Sequence, residues 1–198
     1  MNPAEKKPHV CPWWIGYFLL NPVRRILQDP DRILGPYVRQ GMTVLEIGPG
    51  MGFFSLPLAR LVGKSGKVIC VDVQERMLKK LRKRAEKAGA VDRITTILAE
   101  GNSLRIEKYE GEIDFALAFA VIHEVPDQGR LFEEVYRSMK IGSLLLVSEP
   151  KGHVTQENFR ITVETACAKG FAEVSSPDIR KSHSILLKKT LSRPFDRS

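Results

Sequence analysis

The chain has 198 residues, a length that suits one domain with a short extension. Hydrophobic residues make up 43% and charged residues 27%, which excludes a disordered or fibrous chain and supplies a real core; the formal net charge is +8. The three cysteines, Cys11, Cys70 and Cys167, are widely spaced and odd in number, so they imply no disulfide framework, and with no C-x-x-C pair no metal is expected. No apolar run approaches the ~20 residues that span a bilayer. Met1–His9 is polar and lacks a signal-peptide core, so a cytoplasmic location is expected.

Residues 1–42 differ from the rest. The segment Cys11-Pro12-Trp13-Trp14-Ile15-Gly16-Tyr17-Phe18 is strongly aromatic and holds both tryptophans. Short helices are expected over Val23–Gln28 and Asp31–Val38, giving an N-terminal helical cap. From residue 43, strand and helix signals alternate. Thr43–Gly48 is an apolar run ending in glycine, a buried strand, and Phe53–Val62 is helical with Pro57 near its first turn. Lys67–Val73 is a second strand. The next helix is amphipathic, with Met77, Leu78, Leu81, Ala85 and Ala88 on its apolar face, and it stops at Gly89. Between Glu75 and Arg93 it concentrates basic side chains. That charge fits a nucleic-acid partner, but a solvated helix face explains it locally.

Ile94–Ala99 and Ile113–Ile122 are the third and fourth strands, and Asp127–Lys140 is a helix with Leu131, Phe132, Val135, Tyr136 and Met139 on one face. Ser143–Ser148 is the fifth strand, and Thr155–Lys169 is a helix closed by Gly170. Two strands, Phe171–Ser175 and Ser184–Lys189, end the pattern with no helix between them, so that pair is expected to be antiparallel. Apolar strands alternating with amphipathic helices imply a mostly parallel sheet covered on both faces. The domain is expected over 43–190, followed by a polar tail, 191–198.

In such a sheet, ligands bind beyond the carboxyl ends of the strands, where strand order reverses. The turn after the first strand reads Glu46-Ile47-Gly48-Pro49-Gly50-Met51-Gly52. A dinucleotide motif needs glycine at 53, where Phe53 stands; a P-loop ending at Gly63-Lys64-Ser65 needs glycine at 58, where Leu58 stands. The spacing E-x-G-x-G-x-G fits without a gap. It resembles the class I S-adenosylmethionine-dependent methyltransferases, within them the small-molecule group that includes quinone-biosynthesis and arsenite methyltransferases, over about residues 41–190.

The resemblance implies an α/β, Rossmann-like sheet of seven strands, mostly parallel with an antiparallel last strand, and S-adenosyl-L-methionine as cofactor. Gly48, Gly50 and Gly52 would let the backbone approach that ligand, and an acid at Glu46 suits a cationic tail and repels phosphate. Asp72, followed by Val73, matches the family's ribose-binding carboxylate; capping the basic helix is its other reading. Glu100-Gly101-Asn102-Ser103-Leu104 resembles the adenine-binding segment, with Asn102 where Asp is commonest and the Ser103 amide as ring donor. A backbone carbonyl at Ala118 or Phe119 would hold the ammonium.

Ile122-His123-Glu124-Val125-Pro126-Asp127 resembles the family's L-H-H-V-P-D junction, with Glu124 in place of the second His. A zinc-protease H-E-x-x-H fails at Asp127. His123 is the candidate base, or it shapes the pocket. Glu149, ending the fifth strand, faces the acceptor or only closes the strand. Trp13, Trp14 and Tyr17 are expected to wall the acceptor pocket as a lid, or to anchor the segment, or to touch a membrane surface. Thiol-metalloid chemistry is disfavoured because Cys167 falls on an apolar helix face and Cys70 lies mid-strand. The expected activity is methyl transfer to a small-molecule acceptor. The alternatives are an RNA or protein methyltransferase, though no D/N-P-P-Y/F motif follows the fourth strand, and a non-catalytic cofactor-binding protein.

Overall fold

The computed structural model describes residues 28–191. Its seven strands are β1 (Thr43–Ile47), β2 (Lys67–Asp72), β3 (Ile94–Leu98), β4 (Ile113–Phe119), β5 (Met139–Pro150), β6 (Phe171–Ser175) and β7 (Ser182–Lys189). The helices are α1 (Pro30–Leu34), α2 (Ser55–Leu61), α3 (Glu75–Lys87), α4 (Gln128–Ser138) and α5 (Gln156–Ala168). They form one sheet in the order β3-β2-β1-β4-β5-β7-β6. β1 through β5 pair in parallel, and β7 runs against both β5 and β6. The mostly parallel sheet with a reversed last strand is as expected.

Side chains alternate along each strand, so each face of the sheet builds its own core. Val44, Val68, Cys70, Phe115 and Leu117 pack with Leu34, Leu58, Val62, Leu81 and Ala85 of α1, α2 and α3. Leu45, Ile47, Val71, Ala116, Ala118 and Val147 pack with Phe132, Val135, Phe159 and Val163 of α4 and α5. Side chains cap the later helices: Asp127 accepts from the Arg130 amide and Thr155 from the Asn158 amide.

Several boundaries differ from expectation. The fourth strand stops at Phe119, because Ala120 takes φ 56° and Ile122–Glu124 forms a single 3-10 turn. The fifth strand begins at Met139, not Ser143, which ends α4 at Ser138. Its pairing jumps from Ile113↔Met139 to Phe115↔Leu144, so Lys140–Ser143 bulges out at Gly142, which sits at φ 80°. That glycine imitates a strand start in the sequence. In the basic helix Met77, Leu78, Leu81 and Ala85 are buried as expected, whereas Ala88 is exposed beyond the last turn.

Residues 28–42 run down one face of the sheet and enter its core. Gln28 Nε2 donates to Ser182 Oγ (3.4 Å), and Ser182 pairs with Pro150 at the carboxyl end of β5. Leu34 and Val38 are buried, and the Tyr37 ring stacks on Phe115 at 5.8 Å with 9° between planes. The described part of the expected cap is therefore packed as a piece of the sheet domain, and its upstream end lies at the carboxyl edge. The rest of the expected Val23–Gln28 helix, together with Trp13, Trp14, Tyr17 and the tail from 192 onward, lies outside the described residues. Among the described residues no helix is long and apolar enough to cross a membrane.

Phe115 is 1% exposed and joins that descending segment to the central strands. Phe115→Ala removes the ring under Tyr37 and leaves a cavity. It is expected to lower stability by about 3–5 kcal/mol, read as a fall in the denaturant midpoint.

Candidate functional site

The parallel order places the ends of β3, β2, β1, β4 and β5 along one edge, in that spatial sequence. β1 stops pairing with β4 at Ile47↔Ala118 and leans towards β2, with the Gly48 amide donating to Val71 O (2.9 Å). β4 continues one residue further beside β5, to Phe119↔Ser148. A cleft therefore opens above Ala118, where strand order reverses.

The glycine turn lines that cleft. Gly48, Gly50 and Gly52 have φ of 66°, 54° and 87°, conformations that L residues rarely adopt. A Cβ on Gly48 would lie 2.5 Å from Val121 Cγ2, and one on Gly52 2.5 Å from Leu81 Cδ1; at Gly50 it would meet nothing within 4 Å. Two of the glycines let the turn pack closely, and the third borders open space. The Arg84 guanidinium donates to the Met51 carbonyl and braces the turn from α3.

Asp72 ends β2 beside the turn and is 9% exposed. Its Oδ2 accepts from the Gly50 amide (3.2 Å) and its Oδ1 from the Gln74 amide (2.8 Å). Burial raises its carboxyl pKa, and the backbone N–H donors oppose that rise. The cap residue of α3 is Gln74, whose side chain makes no capping bond to the helix, so Asp72 stabilises the turn into the helix instead of capping it directly. Val73 beside it is exposed.

Glu46 is buried on β1. Its Oε2 accepts from Ser55 Oγ (2.5 Å) and Cys70 Sγ (3.6 Å). Neither donor is charged, and desolvation raises the carboxyl from an ordinary 4.5 to about 7. The turn after β3 holds Asn102, exposed, and Ser103, whose amide donates to Glu100 O (3.0 Å). That donor, expected to face an adenine ring, is already engaged within the turn.

On the other side of the cleft, Ala120 and Val121 carry the chain to His123. Glu149, 1% exposed at the end of β5, accepts at Oε1 from the amides of Val121 (3.1 Å) and Ile122 (2.8 Å). Its Oε2 bonds His123 Nδ1. Glu149 lines the same groove as His123 but is almost wholly buried, so it borders that space from behind the histidine. The bond to Glu149 raises the His123 pKa, and desolvation only partly offsets the rise. Neighbouring parallel strands end side by side, so a carboxylate closing β5 beside a histidine after β4 was a signal available in the sequence.

His123 opens onto a groove of about 770 Å³ between the β4 and β5 ends and α5. Its far wall carries Asn158, Thr162 and Thr165, one helix face at i, i+4 and i+7, with the half-exposed Ile161 beside them. These residues gave no recognisable motif, because only the packing of α5 brings them to the edge. Cys70 and Cys167 lie in or against the two cores, as expected.

Residues 39–193 match the family model described as a methyltransferase domain. The ubiquinone/menaquinone biosynthesis C-methyltransferase UbiE of Escherichia coli K12 is 31% identical over 112 residues, covering 57% of this chain and 44% of that protein. The chain thus spans less than half the length of the curated relatives it matches. A crystal structure of an S-adenosylmethionine-dependent methyltransferase from Aquifex aeolicus superposes with TM-score 0.80 at 25% identity, covering 90% of this chain and 98% of that one. The geranyl diphosphate C-methyltransferase of Streptomyces coelicolor, solved with S-adenosyl-L-homocysteine, shares the fold at TM-score 0.68 and 11% identity, covering 82% and 78%.

The raised Glu46 carboxyl has a consequence for stability. The folded state binds the proton more tightly than the unfolded chain, so this group's contribution is full below 4.5 and is lost as pH rises through about 7. At about 1.4 kcal/mol per pH unit, the loss is on the order of 3 kcal/mol. Glu46→Gln keeps an acceptor for Ser55, and the ligand-free variant is expected to gain on the wild type between pH 5 and 8, read as the difference between their urea-unfolding curves. A difference that stays flat across that range would count against the buried acid.

Proposed function

The chain belongs to the methyltransferase domain family, with the fold of the class I S-adenosylmethionine-dependent enzymes, and on that premise we propose that it methylates a small-molecule acceptor held beside His123. The observation that carries the reading is the order of groups along the carboxyl edge. Asn102, Asp72 with Val73, the glycine turn, Ala118 and then His123 follow one another as the strands do. The cleft between β1 and β4 fits an elongated ligand without phosphate, because its acidic groups, Glu46 and Asp72, would repel one.

In this reading Asp72 accepts from the ribose hydroxyls with the lone pairs that the Gly50 and Gln74 amides leave free. Gly50 gives the ligand room, and Glu46 meets the cationic amino-acid tail, with the carbonyls at Ala118 and Phe119 accepting from its ammonium. Asn102 and Ser103 border the adenine end, Asn102 through its side-chain oxygen. S-adenosylmethionine supplies a methyl group on a sulfonium, and the transfer is an in-line displacement governed largely by positioning. The groove lined by His123, Asn158 and Thr162 is the place for the acceptor. The aromatic N-terminal segment, with Trp13, Trp14 and Tyr17, is proposed as its lid, a reading supported by Gln28, where the described chain starts, which bonds Ser182 at this same edge. The names of the E. coli and S. coelicolor relatives, which act on a quinone pathway and on geranyl diphosphate, support a small molecule over RNA or protein.

Calorimetry with S-adenosylmethionine tests the reading. The wild type is expected to bind, and Asp72→Ala to weaken Kd by about ten- to a hundredfold, the loss of hydrogen bonds to a charged acceptor. Absence of binding by the wild type sinks the proposal. For the lid, the fluorescence of Trp13 and Trp14 is expected to shift on cofactor addition, and a spectrum that stays unchanged removes that part.

A further inference from the structure

The histidine at the groove is held by more than packing. Glu149 is almost wholly enclosed, and its carboxylate serves three donors: the Val121 and Ile122 amides on Oε1 and the His123 ring on Oε2. The turn that carries His123 is fixed from the other side as well. Gln128 Nε2 donates to Ile122 O (3.2 Å), and Gln128 Oε1 accepts from Thr162 Oγ1 (3.0 Å). Because a carboxylate with two amides on one oxygen is an acceptor throughout, the His123 proton sits on Nδ1. Nε2 is left with the lone pair, on a ring that lines the groove.

We infer that Glu149 is a positioning residue that holds His123 as a general base, and that the acceptor therefore belongs to the class that must lose a proton as it is methylated: an enolic or phenolic hydroxyl, or the carbon conjugated to it. This rests on the methyltransferase reading above. A lone pair of the acceptor forms the bond to the methyl carbon. The carbon–sulfur bond breaks with its electron pair passing to sulfur, which ends as a neutral thioether. The acceptor's proton passes to His123 Nε2, and the imidazolium so formed faces the buried Glu149 carboxylate. A neutral amine needs no such base, because its nitrogen attacks with its own lone pair and sheds the proton to water afterwards.

The charged and titratable groups around His123 favour this. Glu149 on β5 and Glu124 in its own turn, 4.0 Å from Nε2, both stabilise the imidazolium. Asp127 at the start of α4 lines the same groove. His153, after β5, stands edge-on at 5.9 Å between ring centroids and is the only other basic group in the described wall of the groove.

Nitrogen-resolved NMR of the histidine rings tests the assignment without an acceptor. In the wild type, the lone pair of His123 is expected on Nε2, with a titration midpoint above the ordinary 6.5. Glu149→Gln keeps the shape but presents an NH₂ group to Nδ1, so the ring proton moves to Nε2 and the midpoint falls. A wild-type lone pair on Nδ1, or a midpoint that Glu149→Gln does not move, overturns the inference. In turnover with labelled S-adenosylmethionine, catechol is the hydroxyl probe and benzylamine the amine. Glu149→Gln is expected to lower kcat on catechol by about tenfold or more, to move the acid limb of its pH profile to lower pH, and to leave cofactor Kd unchanged. Transfer to benzylamine but not to catechol overturns the substrate class. Should Glu149→Gln fail a thermal melt, His123→Gln leaves the two amide bonds of Glu149 intact, and an unchanged kcat there is equally fatal. Cofactor binding with a Nδ1 lone pair rejects this inference alone; no cofactor binding rejects the reading beneath it.

Discussion

Two adjacent parallel strands part company one residue apart, and the site follows from that divergence. β1 turns away at Gly48, which only a glycine permits, since its φ is positive and a Cβ would strike Val121. β4 runs on to Phe119 and then reverses through Ala120, an alanine held in the left-handed region, with its amide bonded to Ser148 O at 2.7 Å. Strain of that kind persists only where the surroundings impose it. Here it directs Val121 against the glycine turn and carries His123 back towards the end of β5. One backbone event thus opens the cleft and aims the side chain on its far wall.

The two buried glutamates on this edge are treated differently, and the difference is chemical. Glu46 meets a hydroxyl and a thiol, neither of which repays the cost of removing charge from water, so its proton is held to about pH 7. Glu149 meets two amides and an imidazole, a donor set built for an anion. An acid that is reluctant to ionise alone gains from a cation brought to it, which suits a ligand-binding position. An acid already satisfied by its own protein suits a fixed support. Both sit on the sheet's central strands, where the backbone has least freedom to relax.

The part of the edge proposed for the cofactor was legible because it is local. Glu46 to Gly52 is one uninterrupted stretch, and its demands on backbone conformation leave a mark on residue type; Asp72 is the last residue of an apolar run. The part proposed for the acceptor was legible only in pieces, because it is assembled from three separate elements. Glu149 and His123 were marked by ending neighbouring strands, whereas Asn158, Thr162 and Thr165 carry no motif and reach the edge only through the packing of α5. Misplaced boundaries had the same origin. Gly142 signals a turn equally well before a strand or within a bulge, and nothing local tells the two apart. The alternation of apolar strands and helices, by contrast, is dictated by burial on both faces, and it survived those local errors.

The excess positive charge also divides by position. On α3 Met77, Leu78, Leu81 and Ala85 face the core, and the basic side chains are the remainder of an amphipathic surface. Of these, Arg84 turns inward to the Met51 carbonyl and Arg82 donates to Thr96 on β3. Part of the basic face is therefore committed to holding the glycine turn and the sheet edge. The groove beside His123 carries the opposite balance, with Glu124, Asp127 and Glu149 around two histidines. A polyanion drawn to α3 would meet carboxylates at the groove, whereas a neutral acceptor that gives up a proton there meets the groups able to take it and to stabilise the cation that results.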